Sequence, residues 1–278
     1  MKFGLIGHPI EHSLSPALFK AGYDGMYPYD LIITEDFEEA YRIFLEGYDG
    51  INVTAPFKEL ALKKADILSE ECQKIGATNL LIKTAGGIMA HNSDYLGVRI
   101  WIEEISRLAS LARNDRETTR NDREATRNDR EGRDIEEKTT VLIVGMGGAG
   151  KAAAEAARSL GCEVILMNRT QYSDEIRPLG EFKEAFKVAD IVIYNLPVRL
   201  PELDRIGKED FIEGKPKNIL EANYRNPSFD KDLIQKLEGM HPQIRYTGGE
   251  TWLLLQALTG YEIFTGQKPD LEKMAARL

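Results

Sequence analysis

The chain has 278 residues, of which 42% are hydrophobic and 29% are charged, and its formal net charge is −9. This composition is typical of a globular protein long enough for two domains, and the excess of acidic residues argues against binding to nucleic acid or an anionic membrane. Only Cys72 and Cys162 occur and the N-terminal apolar run is short, so we expect no disulfide framework, no signal peptide, no membrane span and a cytoplasmic location.

Strand and helix patterns alternate through the first hundred residues. They predict strands at 2–6, 29–33 and 50–53 and helices at 15–23, 37–45 and 57–68. The segment 77–94 then predicts two strands joined by a turn at Gly86-Gly87, since glycine tolerates positive φ. This alternation predicts an α/β fold with a mostly parallel sheet, helices on both faces and an antiparallel edge.

A helix with an apolar stripe is predicted after Asp94, and the composition then changes abruptly. Residues 113–133 repeat a seven-residue unit three times, "RNDRETT RNDREAT RNDREGR", with no apolar residue at any position of a coiled-coil seam. We predict a solvated insertion, either a frayed helix or disordered, without chemistry of its own. A nucleic-acid-binding arm is disfavoured because the interleaved acidic residues cancel the arginines.

The second half again alternates strands and helices. Strands are predicted at 140–144, 163–167, 191–194 and 218–220, with helices at 149–160 and from Gly249 to the end at 271–278. The pattern predicts a Rossmann domain, a parallel sheet that binds a dinucleotide beyond its carboxyl edge.

The loop "GMGGAG" follows the strand 140–144 directly and opens an alanine-rich helix. Its glycines allow a sharp turn and a close backbone approach to a pyrophosphate at the positive end of the helix. The candidate cofactor contacts are therefore Gly145, Gly147, Gly148, Ala149 and Gly150. The alternative is a tight strand-to-helix turn that binds nothing.

The end of the next strand indicates which dinucleotide is bound. An NAD site normally has an acidic residue there for the ribose hydroxyls, whereas this chain has Asn168, Arg169 and Thr170. An arginine fork can hold a 2′-phosphate and a threonine hydroxyl can add a hydrogen bond. We therefore predict NADP(H), with a solvated arginine as the alternative.

Polar side chains follow several predicted strands of the first half. They are Ser13, Ser15, Asn52, Thr54, Lys58, Asn79 and Asp94. Open α/β sheets bind ligands in the crevice outside their strand ends, so this set predicts a site for a small polar molecule. Taken one by one, the serines and Asp94 also suit helix caps, and Asn79 suits a turn.

The motifs "SLS", "NVTAPFK", "GATN", "NSD", "GMGGAG", "NRT" and "GGE…LLLQ", in this order, resemble the shikimate dehydrogenase family. The resemblance covers nearly the whole chain outside the repeat tract. It implies a substrate domain and a Rossmann domain, and reversible reduction of 3-dehydroshikimate to shikimate with NADPH in aromatic amino acid biosynthesis. The implied division is residues 1–110 for substrate, 111–138 for the insertion, 139–247 for NADP, and 248–278 for helices that return to the substrate domain.

The resemblance also implies roles for individual residues. Lys58 would transfer the proton and Asp94 would orient the substrate. Ser13, Ser15 and Tyr224 would hold the substrate carboxylate; Asn52, Thr54, Asn79 and Gln256 would line its ring; and Gly249 would contact the cofactor. A ketone that accepts hydride develops negative charge on its oxygen, and a lysine ammonium within hydrogen-bond reach can donate the required proton.

Four features depart from the family pattern. "NSD" stands for the more usual "NTD", and Gln171-Tyr172-Ser173 lacks the second basic residue that often follows "NRT". Trp252 stands where a methionine commonly contacts the nicotinamide, and the repeat tract lengthens the connection between the domains.

Three alternatives stay open: a quinate/shikimate dehydrogenase of broader specificity, a catalytically inactive shikimate-binding regulator, and a plain structural protein. His8 and His12 flank the serine loop; a position near the substrate is one option, and a solvated or capping role is favoured. No histidine pair has metal spacing, so no metal is predicted. We expect a monomer or a homodimer.

Overall fold

The computed structural model describes residues 1–121 and 138–278 as two lobes followed by two helices. The first lobe contains β1 (Phe3–Gly7), α1 (Ser15–Gly22), β2 (Tyr29–Ile33), α2 (Phe37–Gly47), β3 (Gly50–Val53), α3 (Lys58–Leu62), β4 (Ile67–Leu68), α4 (Glu70–Ile75), β5 (Leu80–Thr84), β6 (Gly87–His91) and α5 (Ser93–Asn121). The second lobe contains β7 (Thr140–Val144), α6 (Gly148–Ser159), β8 (Glu163–Asn168), β9 (Ile176–Pro178), α7 (Phe182–Val188), β10 (Ile191–Tyr194), α8 (Pro201–Asp204), β11 (Lys217–Glu221), α9 (Lys231–Met240) and β12 (Ile244–Thr247). The last helices are α10 (Gly249–Thr265) and α11 (Leu271–Ala275).

The first sheet has the strand order β2-β1-β3-β5-β6-β4. Only β5 runs antiparallel to its neighbours β3 and β6, whereas the other paired strands are parallel. The mostly parallel sheet is confirmed, but the expected antiparallel edge is wrong because β5 lies inside the sheet.

The helix predicted at 57–68 ends already at Leu62, and residues 67–68 form the edge strand β4. Asp66 explains the difference. Its backbone N–H donates to the Ile88 carbonyl and its carboxylate accepts from the Ile88 N–H, both at 2.8 Å. Pairing with β6 therefore outweighs the local helical pattern.

The second sheet has the order β12-β11-β10-β7-β8-β9, and all of its strand pairs are parallel. The central strands β7 and β10 are almost entirely buried, as expected for strands covered by helices on both faces. This confirms the Rossmann-type fold. The short edge strands β9 and β12 were not predicted.

Helices α5 and α10 connect the lobes. On one side, Tyr261 and Phe264 of α10 pack with Phe3 of β1 in the core of the first lobe. On the other side, Trp101 of α5 and Trp252 of α10 share a core with strands and helices of the second lobe. Helix α10 thus contributes to the cores of both lobes, and a cleft lies between their strand ends.

The domain boundary predicted at residue 110 falls inside α5, which continues to Asn121. Residues 113–121 of the repeat tract thus have helical backbone. The rest of the tract, 122–133, lies outside the described residues, and so does the prediction of a solvated insertion there. Within 1–121 and 138–278, no helix combines the length and apolar character needed to cross a bilayer.

Candidate functional site

A cavity of ≈ 430 Å³ opens between the lobes at the carboxyl ends of the strands. Its size is that of a site for a small molecule. It collects every residue for which the sequence predicted a catalytic or substrate-binding role: Ser13, Ser15, Asn52, Thr54, Lys58, Asn79, Asp94, Tyr224 and Gln256. Ala149 and Gly249 from the predicted cofactor set also line it.

Lys58 and Asp94 form an ion pair inside this cavity. Lys58 is the first residue of α3 and Asp94 lies in the first turn of α5, and the Lys58 Nζ donates a hydrogen bond to the Asp94 Oδ2. Their side chains are 17% and 15% exposed, so both groups are partly shielded but still reachable from the cavity. An amine at this position can give a proton to a ligand oxygen or take one from it.

The turn before Asp94 is fixed by other residues, which leaves the Asp94 carboxylate available. The buried Asn92 caps α5, since its Oδ1 accepts from the Tyr95 N–H at 3.1 Å and its Nδ2 donates to the Ala77 carbonyl at 3.1 Å. Asp94 is thus not needed as the helix cap.

Glu71 in the first turn of α4 supports the same turn. Its carboxylate accepts from the Asn92 N–H at 3.4 Å and lies 3.6 Å from the His91 Nδ1. Burial acts to raise the pKa of the Glu71 carboxyl, but the neighbouring His91 ring and hydrogen bonds from the backbone outweigh burial and lower the pKa to about 2. The carboxylate is therefore a structural anchor that is ionised at neutral pH.

Replacing Glu71 with Gln should lower the free energy of unfolding at neutral pH by up to about 3 kcal/mol, because each unit of pKa shift corresponds to about 1.4 kcal/mol. The folded-state pKa lies below the ordinary value of 4.5, so this stabilisation is present above pH 4.5 and is lost as the pH falls toward about 2. Urea unfolding at decreasing pH should show the parent and Glu71→Gln converging. The exposed neighbour Glu70 provides the control variant, Glu70→Gln. A difference between parent and Glu71→Gln that stays constant with pH would contradict the anchoring role.

The predicted carboxylate-binding serines lie together at the start of α1. The Ser13 and Ser15 hydroxyl oxygens are 3.2 Å apart, and the Ser15 N–H donates to the Ser13 Oγ. A carboxylate placed here would meet two hydroxyl groups and the positive end of α1.

The three amide side chains of the cavity are held from behind by buried hydroxyl groups. The Tyr29 hydroxyl donates to the Asn52 Oδ1 at 2.8 Å. The Ser93 Oγ lies 3.0 Å from both the Asn79 Nδ2 and the Gln256 Oε1. These hydrogen bonds therefore fix the orientation of each amide group.

Tyr224 reaches the cavity from the loop after β11, and Glu221 anchors that loop. The Glu221 side chain is fully buried and accepts hydrogen bonds from the Ser228 and Phe229 N–H groups and from the Tyr246 hydroxyl. Burial raises the pKa of the Glu221 carboxyl above its ordinary value, although these hydrogen bonds oppose the shift.

The glycine loop has the backbone that dinucleotide binding requires. Gly145 has a φ of 94°, which favours glycine, and Gly147 is the N-cap of α6. A Cβ on Gly150 would lie 1.9 Å from the Gly145 carbonyl oxygen, so this turn excludes any side chain there. Gly249 at the start of α10 is equally constrained, since a Cβ would lie 2.6 Å from the Ala222 carbonyl oxygen. The loop thus forms a cradle of backbone amides that fits a pyrophosphate.

The residues predicted to select NADP end β8 beside this loop. The Asn168 Oδ1 accepts from the Met146 N–H at 3.3 Å and its Nδ2 donates to the Thr170 carbonyl at 3.0 Å. Arg169 and Thr170 are exposed. Tyr172, in the segment without a second basic residue, donates its hydroxyl to the Met146 carbonyl at 3.3 Å. Arg169 therefore supplies a positive charge at the end of β8.

Trp252 lies against the catalytic candidate Asp94. Its side chain is 4% exposed, lines the cavity, and donates its indole N–H to the Asp94 backbone carbonyl at 3.2 Å. The indole ring at this position thus holds the start of α5 as well as lining the cavity.

The two lobes touch at the site. A Cβ on Gly148 would lie 3.0 Å from the Lys58 Cδ, so the glycine loop packs directly on the lysine side chain. Next to this contact, the Lys151 Nζ pairs with Glu59 at 2.8 Å. The cofactor loop and the proposed proton donor are therefore adjacent.

Several residues of the site were not predicted from the sequence. Arg225 lines the cavity, and so does His8, for which a position near the substrate was the less favoured option. Tyr29, Asn92 and Glu221 do not line the cavity, but they hold the side chains and loops that do. Asn92 could have been found as a helix cap from its spacing to Tyr95, whereas Tyr29 and Glu221 carry no local signal. Across 1–121 and 138–278, no cluster of three or more His, Cys, Asp or Glu side chains could hold a metal.

Comparison with known proteins gives concordant matches. Residues 5–81 match the shikimate dehydrogenase substrate binding domain, and residues 105–238 match the NAD binding domain of D-isomer specific 2-hydroxyacid dehydrogenases. The shikimate dehydrogenase (NADP(+)) of Natronomonas pharaonis is 30% identical, with 98% of this chain and 96% of the relative covered. The corresponding protein of Carboxydothermus hydrogenoformans is 27% identical over 98% of this chain and 94% of its own length.

Two solved structures are similar in fold. Shikimate 5-dehydrogenase from Thermus thermophilus, in complex with NADP(H) and shikimate, has a TM-score of 0.72 and 25% identity, covering 100% of this chain and 98% of that chain. Quinate dehydrogenase from Corynebacterium glutamicum, in complex with NAD, has a TM-score of 0.74 over the same shares of the two chains. At 20% identity this second likeness shows the fold alone.

The second lobe has a parallel sheet with a glycine loop, and this loop faces a lysine–carboxylate pair across the cleft. These features define the class of dinucleotide-dependent oxidoreductases. The near full-length match at 30% identity specifies the family within that class. The chain belongs to the shikimate dehydrogenase family, which confirms the resemblance seen in its motifs.

Proposed function

We propose that this protein is an NADP-dependent shikimate dehydrogenase that reversibly reduces 3-dehydroshikimate to shikimate, a step in aromatic amino acid biosynthesis. The observation that carries the proposal is the Lys58–Asp94 pair, which lies in a cleft lined by both lobes and directly beside the glycine loop. The names of the relatives support the same substrate and cofactor. The division into a substrate domain, a Rossmann domain and returning helices is part of this proposal.

Lys58 acts as the proton donor and acceptor. NADPH, when bound, supplies the hydride that reaches the carbonyl carbon of the substrate. The Lys58 ammonium gives its proton to the carbonyl oxygen as that oxygen gains negative charge, and in the reverse direction the neutral amine takes the hydroxyl proton. Asp94 holds the lysine in place and accepts a hydrogen bond from a substrate hydroxyl.

The remaining cavity residues bind and orient the substrate. Ser13, Ser15 and Tyr224 hold the substrate carboxylate, while Asn52, Thr54, Asn79 and Gln256 contact the ring and its hydroxyls. The cofactor is held by Gly145, Gly147, Gly148, Ala149, Gly150, Asn168, Arg169, Thr170 and Gly249. In this assignment the pyrophosphate lies on the amides at the start of α6 and Arg169 faces the 2′-phosphate.

The alternative of an inactive shikimate-binding regulator is less well supported. A sensor needs binding without proton transfer, whereas Lys58 and Asp94 are paired in the cavity and placed beside the cofactor loop. The expected state is a cytoplasmic monomer or homodimer, and both points stay predictions.

The proposed function is tested by oxidation of shikimate and quinate with NADP and NAD in all four combinations, followed by the absorbance of the reduced nicotinamide. Shikimate with NADP should give the highest kcat/KM, by about tenfold or more over NAD, because a charge-assisted hydrogen bond contributes about 1.5–3 kcal/mol. In Arg169→Ala the preference for NADP should fall toward one. Equal use of NAD by the parent would show that Arg169 does not discriminate, and no oxidation of shikimate with either cofactor would refute the function.

A further inference from the structure

A buried serine connects two of the cavity amides. Ser93 is 0% exposed, and its backbone N–H and its hydroxyl both face the cavity amides. Its backbone N–H donates to the Asn79 Oδ1 at 2.7 Å, and its Oγ lies 3.0 Å from the Asn79 Nδ2 and 3.0 Å from the Gln256 Oε1. A longer approach of 3.3 Å joins the Oγ to the Asn79 Oδ1.

These distances fix the direction of each hydrogen bond. A hydroxyl has one hydrogen to donate, and an amide nitrogen can only donate while an amide oxygen can only accept. The Ser93 hydroxyl therefore accepts from the Asn79 Nδ2 and gives its own hydrogen to the Gln256 Oε1. Ser93 thus supplies a hydrogen to the oxygen of each amide and holds both oxygens against itself.

The third cavity amide, that of Asn52, is oriented in the same way. The Tyr29 hydroxyl occupies the Asn52 Oδ1, and the Asn52 Nδ2 donates to the Asn79 carbonyl at 3.3 Å. The Gln256 Nε2 donates to the Leu253 carbonyl at 3.0 Å. Each NH₂ group carries two hydrogens, so each of the three amides keeps one N–H for a ligand.

We propose that Ser93 is a positioning residue that makes the part of the cavity around Asn79 and Gln256 a hydrogen-bond donor site, selective for ligands that place a hydroxyl oxygen there. Without the Ser93 hydroxyl, the Gln256 amide loses the partner of its oxygen and can rotate. The amide would then be held through its Nε2 and the Leu253 carbonyl, so its second N–H would no longer be fixed toward the ligand oxygen. This inference rests on the proposed function, since it specifies how the same site recognises a polyhydroxylated ring.

Close packing supports this role. A Cβ on Gly260 of α10 would lie 3.0 Å from the Ser93 Oγ and 3.2 Å from the Ser93 Cβ. A Cβ on Gly97 of α5 would lie 2.7 Å from the Gln256 backbone nitrogen. These two glycines bring α5 and α10 close enough for the hydroxyl to reach Gln256.

The test compares shikimate with its 4-deoxy and 5-deoxy analogues in the full-length protein. The parent should prefer shikimate to at least one analogue by about 10- to 100-fold in kcat/KM, the range expected when a buried donor is left unpaired. In Ser93→Ala the kcat/KM for shikimate should fall about tenfold while that for the analogue changes little, so the preference falls about tenfold. The KM for NADP should not change. Ser93→Thr, which keeps the hydroxyl, should keep the preference.

Two further variants separate the role of the Ser93 hydroxyl from effects of the substitution on folding. Ser93→Cys keeps the side-chain size but has a weak donor, and it should lose the preference as Ser93→Ala does. Ser159→Ala removes a hydroxyl of α6 that donates to the Ala156 carbonyl outside the cavity, and it should behave like the parent. An equal loss for shikimate and the analogues in both Ser93→Ala and Ser93→Cys, with the preference preserved, would overturn the inference.

Calorimetric binding of the same ligands separates the two proposals. A parent that neither binds nor oxidises shikimate refutes the proposed function. Binding with an unchanged preference in the variants refutes only the role of Ser93.

Discussion

Lys58→Ala should lower kcat for shikimate oxidation with NADP by about 10²- to 10⁴-fold, the usual contribution of a general acid or base. The Lys58 amine is paired with Asp94, and it is the lysine of the cavity that contacts the glycine loop. Shikimate binding should survive, because the serines, Tyr224 and the amides that hold the substrate are untouched. Steady-state kinetics and calorimetric binding of shikimate measure the two effects separately.

Two variants show whether a proton or only a charge is required. Lys58→Arg keeps the positive charge beside Asp94, but a guanidinium is not deprotonated in proteins and cannot accept the hydroxyl proton. Its oxidation rate should be as low as that of Lys58→Ala. Lys63→Ala changes an exposed lysine that follows the same helix and should match the parent. Oxidation at the parent rate by Lys58→Ala would mean that another group transfers the proton.

Gly150→Ala should destabilise the second lobe by about 1–3 kcal/mol or more and abolish NADP binding. The added Cβ would lie 1.9 Å from the Gly145 carbonyl oxygen and 2.9 Å from the Gly145 carbonyl carbon. Both atoms belong to the backbone, so relief requires the glycine loop to move away from α6. Thermal unfolding and binding of NADP, each measured on the purified variant, give the two readouts.

Neighbouring glycines separate the effect on stability from the effect on binding. At Gly147 a Cβ would meet no atom within 4 Å, so Gly147→Ala should keep the free energy of unfolding within about 0.5 kcal/mol of the parent. It should still raise the KM for NADP, because Gly147 is the N-cap of α6, where the pyrophosphate is proposed to bind. Gly180→Ala, also in open space and far along the chain from the loop, should change neither quantity. A stable Gly150→Ala that binds NADP normally would show that the loop is not the tight turn described here.

Local patterns in the sequence predicted most of the fold. The strands at 29–33, 50–53, 140–144 and 191–194 were found with their observed bounds. Alternation of strand and helix sets the fold class, since parallel strands require crossover helices. The strands that were missed, β4, β9 and β12, all lie at the edges of the sheets, and β4 and β9 are too short to show a period.

The positions of the polar motifs predicted the cavity as well. Parallel strands end at one side of their sheet, so side chains that follow several strands must meet there. Lys58 and Asp94, which are 36 positions apart, were brought together for this reason.

The sequence by itself thus determined the fold class, the family and the set of residues around the cleft. Only the tertiary structure decided which atoms of these side chains face the cavity. The Tyr29 hydroxyl orients the Asn52 amide, and the Ser93 hydroxyl orients the Gln256 amide, which is 163 positions away in the sequence. The Trp252 indole donates to the Asp94 carbonyl, which is 158 positions away. The physical reason is that strand and helix periods are local properties, whereas the direction of a hydrogen bond depends on a partner that the chain brings near only after it has folded.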